Sequence, residues 1–387
     1  MQRPCASTLS PASTPLLRRT AKRLAPLAAP RPRKALRYPS AVSESFFRLT
    51  PEWVLRAVEA GGFRPTGHTT ALTCLENRVH DVRLEDGSHV VVKFYRPGRW
   101  SREAILEEHA FLAALREAEI PVCAPLEFRD GATLHEVEGI YYAVWPRAGG
   151  RSPAELADEE VAILGRLLAR IHNVGATLRV HHRPSLTAAS FLREPLAFLE
   201  EKDFLPASCA RRYRAAAEEV AAIYEAWSEG VPLHAIHGDC HFGNLLHGRE
   251  GWFFLDFDDF VLGPAVQDVW MLLPGRDREG ERQRELLIDA YEQFRSFDRR
   301  WLRLVEPLRA LRFVRYAAWI ARRWSDPAFP SAFPHFGTGE YWENETRDLE
   351  EQLTLIARSG KGPAGPAGRQ AAASSPELTN KDFFWDL

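Results

Sequence analysis

The sequence predicts an α+β protein with two lobes: a small β-rich N-terminal lobe with one major helix, and a larger, mostly helical C-terminal lobe. Three observations lead to this prediction. Residues 66–95 have the pattern of strands around a Glu85-Asp86-Gly87 turn. Beyond residue 150, apolar residues recur mainly at helical spacing. A short stretch at 146–151, containing proline and two glycines, separates the two patterns and is the expected connector.

The elements of the first lobe follow from their boundary residues. Asp-Gly between two apolar runs is a strong hairpin signal, and prolines end the helix and the last strand. The predicted elements are a strand run ending at Val82, a strand Val90–Phe94, a helix from Ser101 to about Glu119 stopped by Pro121, and a strand Ile140–Trp145 ended by Pro146.

Helices dominate the second lobe. Ser152 and Glu155 have the spacing of a capping box, with Pro153 at the first helical position, and Leu164, Leu168 and Ile171 continue at helical spacing. The remaining predicted elements are helices at roughly 209–228, 282–296 and 300–323, and a strand pair, Asn244–Leu246 and Trp252–Leu255, turned at Gly248–Gly251.

The chain divides into four predicted segments: a disordered basic leader at 1–40, the N-lobe at 41–146, the C-lobe at 147–358 and a disordered tail at 359–387. The leader is rich in Ala, Pro, Arg and Ser without periodicity, which favours disorder. A targeting peptide is the alternative, because such segments are also rich in arginine and free of acidic residues. The tail begins as a Gly/Pro/Ala linker.

The composition argues against membrane-spanning and nucleic-acid-binding classes of protein. The hydrophobic share of 45% and the charged share of 26% are typical of a globular protein, and no stretch reaches the roughly 18 apolar residues of a membrane helix. Residues 1–43 hold nine Lys/Arg and no Asp/Glu, so the remainder of a chain with net charge −2 carries −11. Nucleic-acid binding is therefore not expected. The five scattered cysteines fit a reducing cytoplasm.

The segments 236–244 and 252–256 carry the residues with the clearest chemistry. Asp239 precedes Asn244 by five positions, and Asp256 follows the apolar run Trp252–Leu255. Kinase catalytic loops have the same Asp-to-Asn spacing, followed by a second Asp that holds magnesium. A carboxylate can accept the proton of an attacking hydroxyl, and oxygen ligands suit Mg²⁺. We therefore predict Asp239 and Asp256 as catalytic residues and Asn244 and Asp256 as Mg²⁺ ligands.

Two other interpretations of the loop around Asp239 are a local turn and a zinc site. His237-Gly238-Asp239 alone would be read as a turn with a local Asx hydrogen bond. A zinc site formed by His237, Cys240 and His241 is the competing metal hypothesis, but the sequence offers no second ligand pair at a usable spacing. Asn244 and Asp256 at their observed spacings favour the phosphotransfer interpretation over both.

Lys93 ends three consecutive valines in a predicted strand. It is either an edge lysine that reaches solvent or a nucleotide anchor that pairs with a helix glutamate. Glu108 shares an inward-facing stripe with Ile105 and Leu112, whereas Glu107 lies on a weaker stripe. We predict Lys93 and Glu108 as nucleotide-binding residues, with Glu107 as the alternative partner.

With these residues in place, the sequence resembles the aminoglycoside phosphotransferase and choline kinase branch of the protein-kinase-like fold. His237-Gly238-Asp239 with Asn244, then Leu255-Asp256, then Asp268 form the pattern of that branch. Within it, the sequence is more similar to the bacterial stress response kinase A family of RdoA-type Ser/Thr protein kinases, over roughly residues 45–355. The strings that carry this similarity are Glu76–Val79, Val91–Pro97, Ile105–His109, Gly263–Leu273, Glu306–Ala310 and Arg323–Pro330.

The resemblance implies that Asp239 is the proton acceptor and that Lys93 anchors ATP. Cys74 occupies a position where the family's ATP loop carries serine, and a thiol is the weaker hydrogen-bond partner. Cys74 and Trp145 complete the predicted nucleotide-binding set. Three features differ from ordinary protein kinases: segment 66–80 lacks G-x-G-x-x-G, His241 stands where many of them have lysine, and no Ala-Pro-Glu follows Asp256.

The leading hypothesis is a monomeric, cytoplasmic Ser/Thr protein kinase that uses ATP and Mg²⁺ and phosphorylates a protein hydroxyl, its own among the candidates. It implies neither nucleic-acid nor membrane partners. A kinase for an amino alcohol, sugar or aminoglycoside is the first alternative. A non-catalytic nucleotide-binding scaffold is the second, and it has no need for Lys93, Asp239, Asn244 and Asp256 together.

Overall fold

The computed structural model describes residues 46–47 and 49–359 of the 387-residue chain. The predicted leader at 1–40 lies outside the described residues, and so does the predicted tail at 359–387 except for Ser359. Among the described residues, no helix is long and apolar enough to cross a membrane.

The N-lobe is built on a five-stranded antiparallel sheet with strand order β1-β2-β3-β5-β4. The predicted hairpin around Asp86-Gly87 is formed by β2 and β3. Lys93 pairs with Val79 of β2 and Ala143 of β5, so it lies on the central strand and is not an edge lysine. The strands are β1 Pro65–Leu72, β2 Arg78–Leu84, β3 His89–Phe94, β4 His135–Val137 and β5 Ile140–Pro146.

Two helices flank this sheet. Helix α1, Pro51–Ala60, had no predicted counterpart; it begins with proline at its first position and buries Val54 and Val58 with sheet residues in one apolar cluster. Helix α2, Arg102–Glu117, is the predicted major helix, and the Ser101 hydroxyl caps it by accepting from the Ala104 amide at 3.2 Å. The α2 residues Phe111, Leu112 and Leu115 join the core of the second lobe, so α2 packs against both lobes.

The C-lobe is mostly helical. It consists of α3 Asp158–Gly175, a π-helical turn Ala189–Arg193, α4 Glu194–Glu201, α5 Ala210–Ser228, β6 His234–Ile236, a 3₁₀ turn Phe242–Asn244, β7 Leu245–Gly248, β8 Gly251–Phe254, a 3₁₀ turn Phe257–Asp259, β9 Val261–Gly263, α6 Val266–Leu272, α7 Arg278–Tyr291, a 3₁₀ helix Arg299–Leu304, α8 Val305–Arg322, α9 Ala328–Ala332 and α10 Gly339–Ser359. Strand β6 pairs with β9, and β7 with β8.

The predicted start of the first C-lobe helix was wrong. Ser152 and Glu155 lie before the helix, in the connector that follows β5. Helix α3 begins at Asp158, where the Glu160 carboxylate accepts from the Ala157 amide at 2.8 Å. The acid-rich first turn of α3 complements the helix dipole, which explains why the helix begins there and not at the proline.

Candidate active site

The loop that follows strand β6 carries Asp239. Asp268, at the start of α6, is fully buried and accepts hydrogen bonds from the amides of His237 and Gly238, both at 2.8 Å. His172 of α3 also contacts this carboxylate, at 3.0 Å. His237 lies 2.8 Å from the Leu255 carbonyl through Nε2, which ties the loop to the end of β8. Three amide or ring donors to one buried carboxylate therefore hold the loop in place.

Gly238 allows this loop to pass close to the chain at Asp259. Its φ of +81° lies in the left-handed region, and a Cβ at this position would lie 2.5 Å from the Asp259 carbonyl oxygen. Only glycine meets both conditions without strain. The result is that Asp239 and the segment Asp256–Asp259 are brought to the same side of the lobe.

Asp239 is held as a carboxylate by two cationic or polar neighbours. Arg312 of α8 contacts Oδ1 at 2.8 Å, and His241 contacts Oδ2 at 3.4 Å. Burial raises the pKa of Asp239, but the charges of Arg312 and His241 outweigh burial and hold that pKa well below its usual range. Asp239 is thus ionised at neutral pH and can accept a hydrogen bond from a hydroxyl.

Asn244 is oriented by the same loop. Its Nδ2 group donates to the main-chain carbonyl of Asp239 at 3.0 Å. The amide oxygen is then the atom that can face a cation. The 3₁₀ turn Phe242–Asn244 sets this orientation, because it brings Asn244 back toward the start of the loop.

Asp256 leaves the end of β8 in a left-handed conformation, with φ 53° and ψ 68°. This conformation is uncommon for a residue with a side chain, and aspartate is among the residues that tolerate it best. Lys93 of β3 contacts Oδ1 of Asp256 at 3.2 Å, while the side chain remains 48% exposed. The predicted nucleotide anchor and the predicted metal ligand therefore meet across the boundary between the lobes.

Lys93 lies among three carboxylates. Besides Asp256, it contacts Glu108 at 3.3 Å and Asp258 at 3.3 Å. Burial lowers the pKa of Lys93, but Asp258, Glu108 and Asp256 together raise it well above its usual range. The lysine is therefore a permanent cation. Burial, with the nearby charge of Asp258, raises the pKa of Glu108 even though Lys93 lowers it.

Glu108 and Glu107 of α2 face different partners. Glu108 is 1% exposed and also lies 3.3 Å from the Tyr95 hydroxyl and 3.3 Å from Arg183. Glu107 accepts from the amides of His181 and His182 at 2.7 and 3.0 Å. The lysine thus pairs with the glutamate of the inward stripe, and its neighbour ties α2 to a C-lobe loop.

Cys74 and Trp145, the other two predicted nucleotide-binding residues, both lie near this cluster. Cys74 is half-buried, and its sulfur accepts from the Asn77 amide at 3.4 Å. Burial and the charge of Asp256 raise the pKa of the Cys74 thiol, so it is neutral at physiological pH. The Trp145 ring lies 5.4 Å from the Lys93 ammonium and packs against Tyr95 and His109.

Four site residues were missed by the sequence reasoning. Asp258 is 2% exposed and receives Lys93, Arg99 and the Asn77 amide group, the last at 3.0 Å. Arg183 is fully buried as a side chain and donates to the Ala104 carbonyl at 2.8 Å and the Asp258 carbonyl at 2.5 Å. The acidic pair Asp258-Asp259 was the sequence signal that could have indicated Asp258. Arg99, Arg183 and Arg312 had no such signal, because each is distant in sequence from the carboxylate that it contacts.

The oxygen ligands present fit a magnesium ion. Asp256 offers an accessible carboxylate, and Asn244 offers an oriented amide oxygen. Magnesium is usually held by one or two such ligands together with substrate phosphates, so a complete protein cage is not required. Residues 46–47 and 49–359 contain no group of three or more His, Cys, Asp and Glu arranged for a metal ion. Both ring nitrogens of His237 face backbone groups, at Asp239 and Leu255, which argues against the zinc hypothesis.

The two-lobed fold, with a strand lysine facing a loop aspartate and a strand-end aspartate, defines a phosphotransferase. A family model described as the phosphotransferase enzyme family (APH) matches residues 74–305, more than half of the chain. Stress response kinase A of Escherichia coli (strain K12) is 41% identical over 313 residues, which cover 81% of this chain and 95% of that protein. The serine/threonine protein kinase RdoA of Salmonella typhimurium (strain LT2) is 40% identical over the same shares. The chain belongs to the stress response kinase A family, within the APH phosphotransferases.

Solved structures share the fold at lower identity. Amicoumacin kinase hAmiN, in complex with AMP-PNP, Ca²⁺ and its ligand Ami, superposes with a TM-score of 0.63 at 19% identity, over 83% of this chain and 96% of that one. The microcompartment-associated aminopropanol kinase gives a TM-score of 0.61 at 18% identity, over 78% and 98%. These neighbours confirm the α+β two-lobed architecture predicted from the sequence.

Proposed function

We propose that this phosphotransferase is an ATP- and Mg²⁺-dependent serine/threonine protein kinase. The observation that carries the proposal is the contact between Lys93 and Asp256 at 3.2 Å. Asp256 lies on the same side of the C-lobe as the loop that carries Asp239. The Lys93–Asp256 contact supports the assignment of Lys93 as phosphate anchor, Asp256 as metal ligand and Asp239 as proton acceptor, the three parts that phosphoryl transfer to a hydroxyl requires.

Each residue has a proposed part. Asp239 accepts a hydrogen bond from the acceptor hydroxyl and takes its proton as the phosphoryl group is transferred. Its lowered pKa keeps the carboxylate ionised and able to accept that hydrogen bond. Lys93, held by Glu108, binds the nucleotide phosphates, and Trp145 and Cys74 border the nucleotide. Asn244 and Asp256 hold Mg²⁺, which neutralises phosphate charge when it is bound. No covalent intermediate on the enzyme is required.

The acidic cluster near the site, Asp258 and Asp259, is already paired with cations of the protein. This pairing favours a protein acceptor over a small cationic one. An amino alcohol or an aminoglycoside needs available carboxylates near the attacking hydroxyl. Asp258 is buried against Lys93 and Arg99, and Asp259 contacts Arg99 at 2.7 Å. The cluster is therefore neutralised from within the protein. The similar RdoA of Salmonella typhimurium is named a serine/threonine protein kinase, which supports the same choice.

Mass spectrometry after incubation with ATP and Mg²⁺ tests the proposal. Purified wild-type protein should acquire phosphoserine or phosphothreonine, on itself or on an added protein acceptor. Asp239→Asn keeps the side-chain size and removes the base, so turnover should fall by roughly 10²–10⁴-fold while ATP still binds. Near-normal turnover in that variant would reject Asp239 as the base. Unmodified protein, together with ATP turnover stimulated by choline-like, sugar or aminoglycoside acceptors, would instead establish a small-molecule kinase.

A further inference from the structure

Helix α8 presents one narrow open face beside Asp239. Between Leu308 and Ala321, the residues that are not buried are Arg312, Arg315 and Trp319, which follow one another at helical spacing. Arg312 reaches Asp239 at 2.8 Å, and its side chain is 22% exposed. Arg315 lies one turn further along and is 30% exposed. The wall next to the proposed base is therefore lined by two guanidinium groups.

Arg315 is fixed in place but only loosely neutralised. Its guanidinium lies 3.7 Å from the centre of the Phe191 ring, a cation–π contact that orients it. Its contact with Asp259 is long, at 3.7 Å, and Asp259 also receives Arg99 at 2.7 Å. The Asp259 carboxylate is thus shared between Arg99 and Arg315.

Burial is the main cause of the low pKa of Arg315. Burial and the neighbouring Arg99, Arg312 and Arg322, opposed by Asp259, lower the pKa of Arg315 to about 10. An anion bound at Arg315 would supply the close negative charge that Asp259, at 3.7 Å, supplies only weakly. It would also gain charge-assisted hydrogen bonds from a planar group suited to carboxylates.

We propose that Arg312 and Arg315 form an acceptor-recognition surface that selects serine or threonine residues flanked by acidic side chains. The inference rests on the protein kinase function proposed above and names the chemistry of its substrate. Arg315 is the specificity-determining residue of the pair, because Arg312 is already engaged by Asp239. The partner is an acidic protein segment, since a protein brings both the hydroxyl and neighbouring carboxylates to one cleft.

Three matched peptide sets test this surface. Each has a central serine, flanked by Asp/Glu in the first set, Asn/Gln in the second and Lys/Arg in the third. Wild-type protein should have a kcat/KM about tenfold higher for the acidic set than for the neutral set, and the ratio should fall as salt is added. Arg315→Gln should bring the ratio close to one, Arg315→Glu should favour the basic set, and Arg315→Lys should retain part of the acidic preference.

Two controls separate recognition from damage to the protein. The KM for ATP and the melting temperature should stay near wild type in the Arg315 variants, because Arg315 contacts neither Lys93 nor the predicted metal ligands among its described contacts. Arg278→Gln removes an equal charge from an exposed position at the start of α7 and should leave the peptide ratio unchanged.

The outcomes are distinguishable. Peptides phosphorylated equally well in all three sets, or an acidic preference that survives Arg315→Gln, would overturn the recognition surface while leaving the protein kinase function in place. If no peptide were phosphorylated while small hydroxyl compounds were, the protein kinase function would fail, and this inference with it.

Discussion

At the scale of single residues, the site contains two separately neutralised groups of charge. Lys93, Arg99 and Arg183 balance Glu108, Asp256 and Asp258. Asp239 is balanced separately, by Arg312 and His241. Asp256 differs from the other carboxylates of the Lys93 group because it is half-exposed. This exposure is what makes it the oxygen donor most able to leave the lysine for a cation.

Removing the oxygen ligands should change the metal requirement of the reaction. Asn244→Ala and Asp256→Ala each delete a hard donor, so the activity that remains should need roughly 10- to 100-fold more Mg²⁺. Asn244→Asp keeps an oxygen at the same position and should need less additional Mg²⁺ than Asn244→Ala. Titration of initial rates with Mg²⁺ at saturating ATP measures this. An unchanged Mg²⁺ dependence in both alanine variants would reject the metal assignment.

The residues found from sequence are those whose chemistry lies in local spacing. Asp239, Asn244 and Asp256 were found because a loop and the following strand place them within one short segment. Lys93 was predicted because it follows three valines in a strand and because Glu108, on the inward stripe of the next helix, could pair with it. Arg183 and Arg312 could not be found in this way, because long-range packing decides their contacts and an arginine alone carries no positional signal.

At the scale of elements, helix α2 is held by both lobes. Glu108 binds the β3 lysine, Glu107 accepts from the amides of His181 and His182, and Arg183 donates to the Ala104 carbonyl within the first turn of α2. The helix that carries the lysine's partner is therefore fixed relative to the C-lobe. Lys93 is accordingly positioned by the C-lobe as well as by its own strand.

A double-mutant cycle tests whether Lys93 and Glu108 act as one unit. Lys93→Ala should chiefly raise the KM for ATP, and Glu108→Ala should do so more mildly. The double variant should lose less than the sum of the two effects, because both remove one interaction. Glu107→Ala is the matched control on the same helix and should be additive with Lys93→Ala. Full additivity between Lys93→Ala and Glu108→Ala would refute the shared role, provided that the melting temperatures confirm folded variants.

The loop after β6 should be sensitive to any side chain at Gly238. Gly238→Ala combines a positive φ with a Cβ that would lie 2.5 Å from the Asp259 carbonyl, so it should displace the loop and abolish most of the activity. Gly87→Ala, in the β2–β3 turn, has a similar φ of +85° but no atom within 4 Å of the added carbon. The control should therefore lose only about 1 kcal/mol of unfolding free energy. Chemical denaturation and initial rates compare the two, and equal losses would mean that the close approach has no effect.

Element boundaries were predictable where turn chemistry is specific. The Asp86-Gly87 hairpin and the strand pair around Gly248–Gly251 were located from sequence because glycine and aspartate favour these turns. The start of α3 was misplaced, because Ser152-Pro153 matches a capping pattern equally well in an extended connector. Helix α1 was missed, since ten residues are a short stretch in which to recognise a helical period.

At the scale of the whole molecule, buried ion pairs join the two lobes next to the site. Glu76, in the β1–β2 loop, contacts Arg323 and the Trp319 indole of the C-lobe, both at 2.6 Å. In the opposite direction, Asp326 of the C-lobe receives Arg78 and Arg96 of the N-lobe at 3.0 and 2.9 Å. The loop that contains Cys74 is therefore tied to the end of α8, the same helix that carries Arg312 and Arg315. The proposed nucleotide and acceptor sides of the cleft are therefore connected through the same helix.

The ion pairs of Glu76 between the lobes should make the stability of the protein depend on pH. Burial raises the pKa of Glu76, but Arg323, Arg99 and Arg96 outweigh it and lower that pKa to about 2. Because the folded-state pKa lies below the usual value of 4.5, the stabilising contribution is fully present above about pH 4.5. It is lost as the pH falls toward 2. At pH 7, Glu76→Gln should cost about 3 kcal/mol of unfolding free energy, since it leaves buried arginines without their carboxylate.

Urea unfolding of wild type and Glu76→Gln between pH 7 and pH 3 measures the effect. The difference in unfolding free energy between the two proteins should be constant from pH 7 to about pH 5 and should shrink below pH 4.5, as wild type begins to lose the charge that the variant already lacks. Glu136→Gln, at an exposed position of β4, is the control and should follow wild type over the whole range. If the Glu76→Gln protein were as stable as wild type at pH 7, the ion pairs of Glu76 would not stabilise the contact between the lobes. A difference that stays constant down to pH 3 would show that shape and hydrogen bonding at Glu76, and not its charge, hold the two lobes together.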